Sequence, residues 1–233
     1  MFKIVETCTP TRVDENKRLK LFSAFQMMHD CDDLWVDSEP VSKKVFETEH
    51  RAQLLVYRQV DVVRVPLLRE KLTISTSIYD CRPLFGFRND CIHDEQGNPC
   101  YIGYSMGAFI DLETAKLKPL PKEMIESMTI DEKYPMEYTP RRIKLPEVEP
   151  VEHASVAVLR DDIDYNHHMN NCCYLRIALE LLPAEFSPRR IRAEYKEAVR
   201  LGESITPKTY FSEGRYYVEL LCERGVCTVF AFE

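Results

Sequence analysis

Apolar and polar positions change period along the chain, and the changes mark out its elements. From Phe2 to Val13 they alternate, as in a strand with one buried face, and the polar run "DENKR" closes it. A helical period follows from Leu19 to about Trp35: Leu21, Phe25, Met28 and Trp35 fall near one stripe, with Phe22 beside it. Strand-like segments come next at 51–65, 70–80, 83–92 and 99–112, and "DEQGNP" (94–99) predicts a hairpin turn. The stretch 113–150 is crowded with Pro, Lys and Glu. Proline cannot donate to a sheet ladder, so this reads as a connector with one short helix near 121–128.

The order then starts again. A strand is predicted over 151–160, a polar stretch over 161–171, and a helix over about 170–182 with Tyr174, Ile177, Ala178 and Leu181 on one face. Strands at 188–200, 203–212, 215–222 and 226–232 complete the set, with turns at "SEGR" and "ERG". The two helices are offset by about 150 residues, which argues for an internal duplication. Asp14-Glu15-Asn16 precedes the first helix as Asp164-Tyr165-Asn166 precedes the second. The fold class is therefore α+β: two tandem repeats, each a long helix wrapped by an antiparallel sheet. The predicted organisation is an N-terminal repeat over 1–138, a linker over 139–150 and a C-terminal repeat over 151–233.

Composition narrows the function. The formal charge is −7, which argues against a nucleic-acid binder, and no apolar run approaches the roughly 20 residues of a membrane span. The first residues lack the apolar core of a signal peptide, so a soluble cytoplasmic protein is expected. The nine cysteines form no CxxC pair and are expected to be mostly reduced thiols. Two basic islands interrupt the acidic chain: Arg141-Arg142 with Lys144, and Arg189-Arg190 with Arg192 and Lys196. Each reads as a solvated face or as a dock for an acidic partner.

The densest polar cluster is "DDIDYNHHMNNCCYLRIALELLP", residues 161–183. Asp164, Asn166 and His168 are spaced by two, so an extended segment would point them the same way, at the start of a helix. A helix N-terminus offers free N–H groups to a developing oxyanion. Histidine moves protons near neutral pH, Asp can orient it or a water, and Asn can donate to a carbonyl. These residues suit hydrolysis of an activated acyl group. The plainer readings are an N-cap for Asn170 or Asn171, a surface or packing position for His167, turn or surface acids for Asp161 and Asp162, and small apolar roles for Cys172 and Cys173. His168 with Cys172 could begin a zinc site, but further ligands are lacking nearby.

The same stretch resembles the D-x-D-x-N-x-H-x-N-N-x-x-Y signature of the acyl-acyl-carrier-protein thioesterases, matched at Asp162, Asp164, Asn166, His168, Asn170, Asn171, Tyr174, Glu180 and Pro183. Weaker similarities extend over most of the chain: Arg58 and Pro66 ahead of "LTISTS", Arg82 before "FGF", "DEQGNP", and "DLETAKLKPLP". The resemblance implies a double hot dog fold and hydrolysis of a fatty acyl thioester on acyl carrier protein. It implies Asp164, Asn166 and His168 as catalytic residues, no metal or redox cofactor, and an acyl-chain pocket in the first repeat near Phe22, Phe25, Met27 and Met28. Acidic carrier protein becomes the candidate partner of the basic islands. A double hot dog is compatible with a monomer or a homodimer. The sequence departs from the plant pattern E-Y-R-R-E-C, having "EYKEAV" from Glu194 to Val199, with Ala198 and Val199 in place of Glu and Cys. No cysteine nucleophile stands there, and the nearest carboxylate is Glu197, a candidate acid or base one residue early on the expected strand. Rival readings are the same chemistry on acyl-coenzyme A, a hot-dog dehydratase or hydratase, and a protein that binds acyl thioesters without turnover.

Overall fold

A computed structural model describes the backbone of residues 1–233 and every side chain except those of Pro40, Val41, Ser42 and Glu47. The chain divides into two compact units. The first is Met1–Val56 with Val62–Tyr138, and the second is Tyr57–Asp61 with Thr139–Glu233.

The first unit opens with β1 (Phe2–Thr7), whose alternating half-buried and exposed residues reproduce the alternation of the sequence. A 3-10 turn leads to α1 (Leu21–Ser38), which buries Ala24, Phe25, Met27, Met28 and Cys31 completely or nearly so. A second helix, α2 (Pro40–Thr48), forms where the periodicity gave no element; proline is favoured at a first helical position. Strands β2 (Arg51–Val62), β3 (Lys71–Arg82), β4 (Phe85–Asp94) and β5 (Pro99–Asp111) follow, then the short helix α3 (Lys122–Ser127) near its predicted place. The sheet order is β1-β3-β4-β5-β2, and α1 packs on β1, β3 and β4. Phe25, Met27 and Met28 of α1 and Leu72, Ile74, Ile92 and Tyr101 of the sheet are all buried, none more than 1% exposed. Burying each such side chain contributes about 1.5–3 kcal/mol against leaving it in water.

The second unit begins with two short strands, β6 (Val151–Glu152) and β7 (Val156–Ala157), in place of the single strand predicted over 151–160. Helix α4 (Asn171–Leu179) stops earlier than the predicted 182, the chain turning at 180–182 ahead of Pro183. Then come β8 (Arg190–Tyr195), β9 (Ser204–Ser212), β10 (Arg215–Cys222) and β11 (Gly225–Phe232). The order is β8-β11-β10-β9-β6, with β7 also on β9. Tyr57–Asp61 runs antiparallel beside β8, Tyr57 opposite Glu194 and Asp61 opposite Arg190. If β6 and β7 stand for β1, and β8 to β11 for β2 to β5, the sheet order of one unit is that of the other. The duplication read from the periodicity is thus repeated in strand connectivity. Tyr174, Leu175, Ile177 and Ala178 of α4 are buried, and α4 packs on β10 and β11. No described helix is long and apolar enough to cross a membrane.

Candidate active site

The duplication reaches into the loop before each helix. In the first unit a 3-10 turn at Pro10–Arg12 is followed by a bridge between Val13 and Leu19; in the second, a turn at Arg160–Asp162 is followed by a bridge between Ile163 and Met169. Asp14 N–H donates to the Arg18 carbonyl at 2.8 Å, as Asp164 N–H donates to the His168 carbonyl at 2.9 Å. Lys17 and His167 both take positive φ, 61° and 60°. Asn16 N–H donates to Asp14 Oδ1 at 2.9 Å, and Asn166 N–H to Asp164 Oδ1 at 2.8 Å. An Asp two residues ahead of an Asn stabilises this turn locally, which is why the motif recurs.

The turn corrects one expectation. Asp164, Asn166 and His168 are not on an extended segment, so alternation does not align them. Asp164 and His168 close the base of a tight loop and Asn166 stands exposed at its tip. Asp164 and His168 are half-buried, and neither ring nitrogen of His168 has a partner among the described residues. Burial, and next the positive charge of Arg200, hold the His168 imidazole below its ordinary pKa; Asp164 opposes them, while His167 and Arg224 add to them. The neutral, proton-accepting form is therefore favoured at neutral pH.

The helix start is more committed than capping alone requires. Asn170 Oδ1 accepts the Cys172 N–H at 2.9 Å, and the Cys173 N–H donates to the Asn170 carbonyl. Asn170 is thus the N-cap, and of the first helical donors the Asn171 N–H has no partner among the described residues. Asp162 is no surface acid: it is 4% exposed, accepts the Leu159 N–H, and pairs with Arg176 one helical turn into α4. Burial pushes the Cys173 thiol up to about 11, so it is not a thiolate in waiting.

Behind the loop lies the segment 196–200. Strand β8 ends at Tyr195, so Glu197 is not a strand residue, and the argument from strand faces does not apply to it. Val199 is clamped from both sides: its N–H donates to the Tyr174 hydroxyl at 2.9 Å and its carbonyl accepts the Met169 N–H at 2.8 Å. Arg224, on the β10–β11 turn, donates to the Ala198 carbonyl at 2.7 Å and forks onto Glu203. Glu197, exposed, has its carboxylate 3.7 Å from the same guanidinium. Glu194 is structural, 6% exposed and accepting the Ile143 N–H. Arg200 and Arg224 escaped the sequence reading because they reach the loop from other segments. The Tyr174 clamp was signalled only by the Tyr of the motif.

The second basic island is partly spent inside the unit. Arg190 forks onto Asp61 at 2.6 and 2.8 Å, and Arg192 donates to the Tyr57 hydroxyl and the Pro140 carbonyl. Arg189, Arg141, Arg142 and Lys144 are exposed. Among the described residues no group of three or more His, Cys, Asp or Glu is disposed to hold a metal ion.

Two family models match the chain in succession, the acyl-ACP thioesterase N-terminal domain over residues 8–128 and the acyl-ACP thioesterase C-terminal domain over 129–221. The chain belongs to the acyl-ACP thioesterase family. It is a thioester hydrolase of fatty acyl-acyl carrier protein, and its fold is the double hot dog. Among solved structures it is similar to an acyl-ACP thioesterase from Bacteroides thetaiotaomicron, with TM-score 0.88, 24% identity, and coverage of 99% of this chain and 96% of that one. It is also similar to the 12:0-ACP thioesterase from Umbellularia californica, with TM-score 0.87, 13% identity, and coverage of 100% of this chain and 96% of that one. No curated protein matches the sequence significantly.

Proposed function

We propose that this acyl-ACP thioesterase works by direct attack of water, with His168 as general base. The observation that carries the reading is an imidazole with both nitrogens uncommitted among the described residues, held beside Asp164 on a turn pinned through Met169 to Val199. The water oxygen bonds to the thioester carbonyl carbon while His168 takes its proton. The C–S bond then breaks, and the carrier thiolate leaves with the proton His168 returns. Asp164 Oδ2, left over when Oδ1 takes the Asn166 N–H, orients the imidazole or the water. The Asn166 amide and the Asn171 N–H serve the oxyanion. Glu197, held by Arg224 in the same cluster, assists as a secondary acid or base. A thioester is already activated, so this chemistry needs no covalent nucleophile.

By this reading the N-terminal hot dog (1–138) takes the acyl chain, 139–150 is the linker and 151–233 is the catalytic hot dog. Acidic carrier protein docks on Arg141, Arg142, Lys144, Arg189 and Lys196, the cations of the two islands left exposed. The enzyme acts in the cytoplasm, as a monomer or a homodimer. Mass measurement of protein acid-quenched during turnover tests the direct attack. An unchanged mass is expected, and a population heavier by one acyl group would overturn it.

A further inference from the structure

One cavity of the first unit is unused by the chemistry above. It is narrow and partly open to solvent, with closed room for about one water. Trp35 of α1, Phe46 of α2, Ile78 of β3, Phe109 of β5 and Met128 beyond α3 make it apolar; Gln53 of β2 and Arg88 of β4 bring polar groups into it. Arg88 is 6% exposed and lies over the Trp35 ring at 4.3 Å, beside Asp32. Its Nη2 donates to Gln53 Oε1 at 3.2 Å, which fixes which end of the amide is which.

The amide lies on a purpose-built seat. Gly86 of β4 and Gly107 of β5 are cross-strand partners. A Cβ at Gly86 would stand 2.8 Å from Gln53 Nε2, and one at Gly107 would stand 2.4 Å from Nε2 and 2.6 Å from Cγ. Neither glycine has positive φ, so turn geometry does not account for them. A strand glycine that weakens its sheet marks a close approach, and here the approaching group is Gln53. With Oε1 taken by Arg88, Nε2 keeps its donors without a partner among the described residues. A hydrocarbon drawn across it would leave a polar group dry, so an acyl chain that parts the apolar side chains to enter would halt at the amide.

We propose that Gln53, seated on Gly86 and Gly107 and oriented by Arg88, is the stop that sets the longest acyl chain this enzyme releases. The proposal rests on the reading that the first hot dog takes the acyl chain. It identifies the preferred substrates as chains short enough to end before the amide.

The test is kcat/KM over a ladder of saturated acyl-acyl carrier proteins in two-carbon steps, for wild type, Gln53→Ala and Gly107→Ala. Gln53→Ala empties the seat, and the chain one step beyond the wild-type limit should gain about tenfold relative to the chain at the limit, the scale of hydrophobic-pocket discrimination. Gly107→Ala pushes the amide off its seat into the cavity and should lower the limit by a step. Opposite shifts support the stop. A uniform fall at every length, or an unmoved limit in Gln53→Ala, overturns it while leaving the thioesterase mechanism standing. Should Gly107→Ala not fold, Gln53→Ala decides alone, checked by whether longer free fatty acids now stabilise it against heat. Wild-type turnover lost at every length would instead overturn the thioesterase reading, and this proposal with it.

Discussion

Removing one oxygen tests how the loop that carries His168 is held. Tyr174 is 2% exposed and Val199 is 0% exposed, and the Tyr174 hydroxyl is the acceptor of the Val199 N–H at 2.9 Å. Tyr174→Phe keeps the ring, including its edge-on contact with Tyr195 at 6.1 Å, and deletes only the acceptor. No water reaches the orphaned N–H, so the loss is that of an unsatisfied buried donor, about 1–3 kcal/mol. For a chain of this size that is a fall in the melting temperature of roughly 2–12 °C, read by calorimetry or circular dichroism. Activity should fall as well, since the Val199 carbonyl holds the Met169 N–H and Met169 adjoins His168. A drop in kcat of about tenfold, larger than that in KM, is expected, as misplacing a catalytic group costs rate rather than binding. A variant melting within about 1 °C of wild type, with unchanged kcat, would refute the claim that Tyr174 fastens the 196–200 segment to the loop.

The remaining predictions concern charge. Arg200 is, after burial, the largest cause holding His168 below its ordinary pKa. With His168 as the proposed base, activity needs the neutral ring, so the acid limb of kcat/KM should lie below the usual histidine range, and Arg200→Gln should move it to higher pH; an unmoved limb would free His168 from that limb. Asp162→Ala strips Arg176 of its buried partner and the Leu159 N–H of its acceptor, so urea unfolding should show a loss of about 1.5–3 kcal/mol, and no loss would make the pair decorative. Glu197→Gln should cost at least about tenfold less in kcat than loss of the His168 ring, because the carboxylate is exposed and already paired; an equal cost would make Glu197 the principal base.

The repeat was legible because periodicity survives divergence. Leu21, Phe25 and Met28 announce α1 and Tyr174, Ile177 and Ala178 announce α4, as burial demands in any hot dog. What failed was backbone detail set by contacts remote in sequence. The alternation of "VEHASVAVLR" looks like a strand, yet most of it is exposed and only two short pieces pair with β9. Strand β8 was read five residues too long, because nothing in "KEAVR" says that Tyr174 and Met169 will capture Val199 and turn the chain off the sheet. That error gave Glu197 a strand face it does not have. Asp164-x-Asn166 was read as extended although Asp ahead of Asn is itself a turn signal, and the matching Asp14-x-Asn16 in a repeat without the histidine was the clue. Arg200 and Arg224, which shape the charge around His168, could be found only by folding the chain.

The central claim, that the second-unit loop carries hydrolysis through His168, is most directly tested by thiol release from acyl-acyl carrier protein with wild type and His168→Ala. The account predicts a fall of about a hundredfold or more, with the melting temperature of the variant near that of wild type. Equal rates in the two proteins would contradict it and move the catalytic centre away from this loop.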